Sequence, residues 1–88
     1  MTFYVSDWFT HEFNRHFDQY GDEILRLMDA VLANPAGAGE PNPAPAAFRY
    51  SMRRIIRDRT LGIALDWTVQ EDSVTFEYLC GPNTRLDL

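Results

Sequence analysis

The chain has 88 residues, of which 45% are hydrophobic and 24% are charged, as is ordinary for one globular domain. We expect no membrane segment, because no apolar run approaches the roughly 20 residues of a spanning helix. The single cysteine, Cys80, excludes an internal disulfide and favours a reducing, cytoplasmic location. No Cys/His cluster and no glycine-rich phosphate loop is present, so we expect neither a metal nor a cofactor.

The net charge of −5 argues against indiscriminate nucleic-acid binding, but the charge is unevenly distributed. All eight cationic residues are arginines, and five of them lie between Arg49 and Arg59, where Asp58 is the one acidic residue. Such a basic stripe on an acidic body suits a localised anionic contact. The alternative is structural, with these arginines paired to Asp66, Glu77 and an acidic helix.

The first half of the chain predicts a strand followed by a helical hairpin. Residues 2–5, TFYV, favour a strand at the sheet edge or beside the last strand. Ser6 or Asp7 is suited to cap a helix at its N-terminus. The buried stripe of that helix is predicted from aromatic residues at helical spacing: Phe9, Phe13, Phe17 and Tyr20. We expect Gly21 and Asp22 to break and recap it, so that a second helix runs to about Ala33.

Residues 34–47 are rich in Pro, Gly and Ala and predict an extended surface loop within a single domain of residues 1–88. Residues 48–80 then predict a three-stranded antiparallel meander, which completes an α+β fold. Its central strand, LGIALDWTV, alternates strictly between apolar and small or polar residues from Leu61 to Val69.

Two-residue turns at Asp58-Arg59 and Glu71-Asp72 would fix the register of this meander. Trp67 would then face Tyr50 and Phe76, and Leu65 would face Met52 and Tyr78, which keeps the large apolar residues on one face. On the open face, Asp66 would lie opposite Ser51 and Glu77. Its diagonal neighbours would be Arg49 and Arg53.

The order of elements resembles the RelE/ParE superfamily of toxin–antitoxin toxins. Four features carry this resemblance: the first helix SDWFTHEFNRHF, the helix end LMDAVLANP, the arginine-bearing strand FRYSMRRI, and a final strand ending at Gly81. The resemblance implies a small cytoplasmic toxin neutralised by a cognate antitoxin. RelE-like members cut messenger RNA on the ribosome, whereas ParE-like members inhibit DNA gyrase.

The same resemblance implies roles for individual residues. Arg49 and Arg53 match the basic residues that hold phosphates in the nuclease branch. A metal-independent endoribonuclease also needs a base and a cation at the reacting phosphate. We therefore predict Arg53, Glu77 and Arg85 as catalytic residues, with Glu77 as the base. The predicted nucleic-acid or partner-binding residues are Arg49, Arg53, Arg57, Arg59 and Asp66.

Two other functions are compatible with the sequence. The central strand has Gly62 and Ala64 where the nuclease branch carries an arginine, which favours a non-catalytic inhibitor that binds a protein, for example a phage-encoded anti-defence protein. The third hypothesis is a non-toxic partner-binding module that retains only antitoxin binding.

Overall fold

A computed structural model of the chain describes residues 2–42 and 52–81. Its elements, in chain order, are β1 (Thr2–Val5), α1 (Asp7–Ala33), β2 (Glu40–Pro41), β3 (Met52–Asp58), β4 (Ile63–Gln70) and β5 (Ser73–Cys80). The strands form one five-stranded sheet in the order β1-β5-β4-β3-β2. The predicted helical hairpin with a three-stranded meander is therefore wrong: the described chain has one helix and a larger, mixed sheet.

The sheet is mixed because β1 pairs in parallel with β5, whereas its other pairings are antiparallel. Parallel strands cannot be joined by a tight turn, and the connection from β1 to β5 contains α1 and the other three strands. The prediction that the first strand lies at the edge or beside the last strand is confirmed, because β1 is an edge strand and pairs with β5. The opposite edge is the two-residue strand β2, which lies within the predicted loop of residues 34–47.

The helix begins at a side-chain cap and does not break at Gly21. The N-cap is Ser6, which is one of the two residues predicted for this position. Its Oγ accepts a hydrogen bond from the Phe9 N–H. The predicted interruption at Gly21-Asp22 is wrong, because α1 continues through both residues for 27 residues in all. Gly21 is buried, and the ring of Phe17 covers the place where a side chain would stand.

The helix is bent. Phe9 and Phe13 from its first half and Leu25 and Met28 from its second half line one apolar cavity of about 250 Å³. A straight helix would separate Phe9 from Met28 by roughly 28 Å, at 1.5 Å per residue. Gly21 lies midway between these two sets of residues, and glycine is a common position for a bend in a helix.

The second turn of the meander agrees with prediction and the first does not. Gln70 lies opposite Ser73 and Trp67 opposite Phe76, so the two-residue turn Glu71-Asp72 is confirmed. Between β3 and β4, however, residues 59–62 form a longer connection, in which Asp58 Oδ1 accepts the N–H groups of Thr60 and Leu61. The loop ends at Gly62 with φ 71°, a conformation that favours glycine.

The longer loop shifts the register of β3. Met52 lies opposite Val69 and Asp66 lies opposite Ile55, so the predicted pairing of Met52 with Leu65 is wrong. Trp67 lies opposite Arg54, so the predicted pairings of Trp67 with Tyr50 and of Asp66 with Ser51 are also wrong. Arg49, Tyr50 and Ser51 themselves lie outside the described residues. The shift is an even number of positions, so the residues of β3 keep the faces that the alternation predicted.

A bulge halfway along β5 reverses the face of the sheet to which its later side chains point. The register shifts between Asp66 and Trp67, so Asp66 lies opposite Tyr78 and Leu65 opposite Leu79. Glu77 is the extra residue, and the predicted pairing of Asp66 with Glu77 is wrong. Beyond the bulge, Leu79 joins the core beneath the helix, and Tyr78 and Cys80 move to the face of Asp66.

The main core lies between α1 and one face of the sheet. Trp67 is its largest fully buried side chain, and its indole N–H donates to the Pro35 carbonyl at 3.0 Å, which satisfies its one polar group. The other buried apolar members are Phe9, Ile24, Val31, Ile63, Leu65, Val74, Phe76 and Leu79. No helix within residues 2–42 and 52–81 combines the length and the apolar character needed to cross a membrane.

We predict that Ser6→Ala destabilises the protein by about 1–2 kcal/mol. The substitution removes the helix cap, and it also removes the hydrogen bond of 2.6 Å that the hydroxyl donates to the Glu77 carbonyl at the bulge. Urea denaturation followed by circular dichroism measures the change. The control is Asn14→Ala on the exposed side of α1, for which we expect a change within about 0.5 kcal/mol. Equal unfolding midpoints for Ser6→Ala and the wild type would contradict the prediction.

Candidate functional site

A buried carboxylate stands on the central strand, on the face away from the main core. Asp66 is 0% exposed, and both of its oxygens accept hydrogen bonds from Arg53 Nε, at 3.0 and 3.1 Å. Asn42 Nδ2 also donates to Asp66 Oδ2. The Arg53 guanidinium lies 5.2 Å from the centre of the Tyr78 ring, which the bulge has brought to this face. We call these four residues the polar cluster: Asn42, Arg53, Asp66 and Tyr78.

The protonation of Asp66 reflects opposing influences. Burial raises the pKa of Asp66 above its ordinary value of 3.8, because the charged form loses its hydration. The hydrogen bonds and positive charge of Arg53, together with the hydrogen bond from Asn42, lower the pKa, and the charge of Glu77 raises it. Since burial is the largest of these effects, the carboxyl binds its proton more tightly than a solvated aspartate does.

The basic stripe of β3 is largely occupied by contacts within the protein. The side chain of Arg53 is 11% exposed, at the polar cluster. On the opposite face, Arg54 Nε donates to the Ala38 carbonyl at 2.7 Å. Arg57 lies on the same face as Arg53, and its Nη1 contacts Glu40 Oε1 at 2.5 Å. Arg59 is exposed in the loop after β3. Contacts with β2 and the preceding residues thus hold two of these arginines.

Of the predicted catalytic residues, Arg53 and Glu77 lie within the described chain, and the charges of both act on Asp66. Arg53 belongs to the polar cluster, whereas Glu77 occupies the bulge, where its carbonyl accepts a hydrogen bond from Ser6. Arg85 and Arg49 lie outside the described residues. The catalytic and nucleic-acid-binding roles of these residues stay predictions.

A second buried carboxylate lies on the helix and was missed by the sequence analysis. Glu12 is 4% exposed, and its Oε2 is 3.2 Å from His16 Nε2. Burial raises the pKa of the Cys80 thiol to about 11, and the charges of Glu12 and Asp66 act in the same direction. The thiol is therefore protonated at neutral pH, which is unfavourable for a nucleophile. Within residues 2–42 and 52–81, no cluster of three or more acidic, His or Cys side chains could hold a metal.

A contiguous apolar surface lies where β1 meets α1. Phe3, Val5, Phe17 and Leu25 are each between 41% and 53% exposed although they are large and apolar. Val5 and Leu25 line the same cavity as Phe13, and the Phe13 and Phe17 rings are 5.5 Å apart. Phe3 lies on the same face of β1 as Val5, two residues before it. We call this surface the apolar corner: Phe3, Val5, Phe13, Phe17, Leu25 and Met28.

The apolar corner and the contact of Asn42 with Asp66, which the sequence analysis also missed, differ in the signals that they offered. Leu25 lies among other apolar residues in the second half of the helix, and residues 2–5 carry no charge, so an excess of apolar side chains was visible in the sequence. No local pattern indicated that Asn42 contacts Asp66, because the contact joins residues 24 positions apart.

The chain matches no protein-family model, no curated protein and no solved structure. The resemblance to RelE/ParE toxins therefore stays a prediction.

We predict that Arg53→Ala destabilises the protein far more than Arg57→Ala. Loss of Arg53 leaves a fully buried carboxylate without its cation, at a cost of about 3–5 kcal/mol. Arg57 lies on the same strand and face, but its side chain is 49% exposed in its ion pair, so its loss should cost at most about 1 kcal/mol. Urea denaturation of both variants at neutral pH gives the comparison.

A double variant checks this interpretation. Arg53→Leu combined with Asp66→Leu removes both charges, so it should be more stable than Arg53→Ala alone. Equal losses of unfolding free energy in Arg53→Ala and Arg57→Ala would contradict the prediction that the ion pair with Asp66 is the more costly one to break.

The raised pKa of Asp66 predicts a pH dependence of stability. Above pH 3.8 the folded protein holds the Asp66 proton more tightly than the unfolded chain does, so this contribution to stability falls as pH rises through the raised pKa. The variant Asp66→Asn has no titratable side chain at this position. Denaturation at stepped pH should therefore show the wild type losing stability relative to Asp66→Asn as pH rises above 3.8. A relative gain by the wild type over that range would contradict the direction given for the pKa.

Proposed function

We propose that this protein acts by binding another protein through the apolar corner, and not by catalysing a reaction. The observation that carries the proposal is the exposure of four large apolar side chains on one continuous surface: Phe3, Val5, Phe17 and Leu25. Single exposed apolar residues are normal in proteins, whereas contiguous ones typically mark an interaction site. Their aromatic members also suit the buried centre of an interface.

The polar cluster supports a non-catalytic function. A general base must reach a proton of its substrate, and a cation must reach the reacting phosphate. Asp66 has no exposed surface, and its oxygens already accept hydrogen bonds from Arg53 and Asn42. The raised pKa of Asp66 is explained by its burial, which outweighs the ion pair with Arg53, and does not by itself indicate a catalytic role.

The proposal corresponds to the non-catalytic alternative of the sequence analysis. An inhibitor or regulator of this type could bind gyrase, an antitoxin or an anti-defence target, since each is a protein. The contacts of Arg54 and Arg57 with β2 and nearby carbonyls favour it over cleavage of messenger RNA on the ribosome.

Crosslinking in host cells tests the proposal with two matched double variants. Phe17→Ser with Leu25→Ser alters the apolar corner, and Arg57→Ala with Arg59→Ala alters the exposed part of the basic stripe. We expect the partner recovered with the wild-type chain to fall about tenfold with the first variant, since exposed aromatic and aliphatic anchors contribute most to an interface. Recovery with the second variant should be unchanged. Thermal unfolding confirms that both variants are folded.

Two results would contradict the proposal. One is loss of the partner in the arginine variant with retention in the apolar variant. The other is cleavage of messenger RNA by the purified chain, alone or with programmed ribosomes, because a nuclease is a catalyst whatever else it binds.

A further inference from the structure

Strand β1 presents an outer edge with unused backbone groups. The Thr2 N–H donates to the Asp72 carbonyl and the Ser6 N–H to the Phe76 carbonyl, so even-numbered residues of this segment bond to β5. Because neighbouring residues of a strand direct their backbone groups to opposite sides, the N–H and C=O of Phe3 and Val5 point outward. Within residues 2–42 and 52–81, no element pairs with that side of β1.

The side chains of the same two residues point towards the apolar corner. The Phe3 ring makes an edge contact with the core residue Phe76, at 6.1 Å between ring centres, and Val5 lines the apolar cavity. A strand added beside β1 would place every second side chain on this same face. The backbone edge and the cavity therefore form one continuous surface for an extended segment.

Negative charges flank both ends of the edge. Asp7 follows the end of β1, and Asp72 lies beside its beginning, where its backbone carbonyl accepts the Thr2 N–H; both residues are exposed. Between them, residues 2–5 are uncharged. A four-residue strand spans about 13 Å, so cations near both ends of an added strand would each approach one aspartate.

We infer that the partner segment is an extended peptide that adds to the free edge of β1, with apolar residues at alternate positions and Lys or Arg near both ends. The inference rests on the proposed function and specifies its partner. Main-chain hydrogen bonds to Phe3 and Val5 provide the affinity, and the cavity together with Asp7 and Asp72 provides the selection. A second copy of the chain is a poorer occupant, because antiparallel pairing of β1 with itself brings like charges together at both ends.

The test is selection of peptides from a phage-displayed random linear library on the immobilised full chain. We expect the enriched sequences to alternate apolar and polar residues between two basic ends. The best peptide is then synthesised in two N-methylated forms, one with methyl groups on the odd-numbered amides and one with methyl groups on the even-numbered amides. The form whose methyl groups block the N–H groups that face β1 should bind about tenfold or more weakly in fluorescence anisotropy. The other form should lose less affinity.

Matched charge variants test the two aspartates. Asp7→Asn with Asp72→Asn should weaken peptide binding about threefold to tenfold at low salt, and by less at high salt. Asp18→Asn with Glu40→Gln removes the same charge away from the ends of β1, and we expect little change.

The possible outcomes separate this inference from the proposed function. Enrichment of acidic sequences, of sequences with helical spacing, or of no sequence overturns the inference, as does equal binding of both N-methylated forms. Dimerisation of the wild type in sedimentation, lost in Val5→Asp, would replace the peptide by a second copy. If the crosslinked partner is still lost in the apolar-corner variant, the proposed function survives any of these failures.

Discussion

The burial of a carboxylate at the centre of the sheet is the constraint on which the second face depends. A charge removed from water is tolerated only with a compensating charge and hydrogen bonds. For Asp66 these come from Arg53 on the neighbouring strand and from Asn42 next to the edge strand. One side chain thus connects β4, β3 and the chain segment beyond β2. Such a pair adds little net stability, but breaking it is costly, so it favours one arrangement of these strands over others.

The bulge in β5 adapts the sheet to this carboxylate. By inserting Glu77 as an extra residue, it places Tyr78 beside Asp66 and under the Arg53 guanidinium. Because the bulge reverses the face to which the later residues of β5 point, Leu79 points into the main core. The helix begins at this point, since Ser6 contacts the Glu77 carbonyl while capping α1. The irregularity therefore serves the polar cluster, the core and the start of the helix together.

The distribution of charges follows from these internal contacts. The chain carries five arginines between Arg49 and Arg59, and those that hold Asp66, Glu40 and the carbonyls of residues 37–39 are engaged within the protein. Much of the positive charge is thus directed inward, and aspartates remain at the ends of β1. The apolar corner and its acidic ends are consequently a more accessible recognition surface than the basic stripe from which a nucleic-acid contact was predicted.

The sequence by itself determined the features that depend on neighbouring residues. The alternation of β4, the turn at Glu71-Asp72, the Ser6 cap and the uncharged first strand each follow from local side-chain chemistry and are present in the structure. Tertiary structure decided the continuity of α1 at Gly21, the loop at residues 59–62 and the bulge at Glu77. These depend on packing and on the pairing of a buried charge between distant segments, whose free energies outweigh the weaker local preferences for a break or a tight turn.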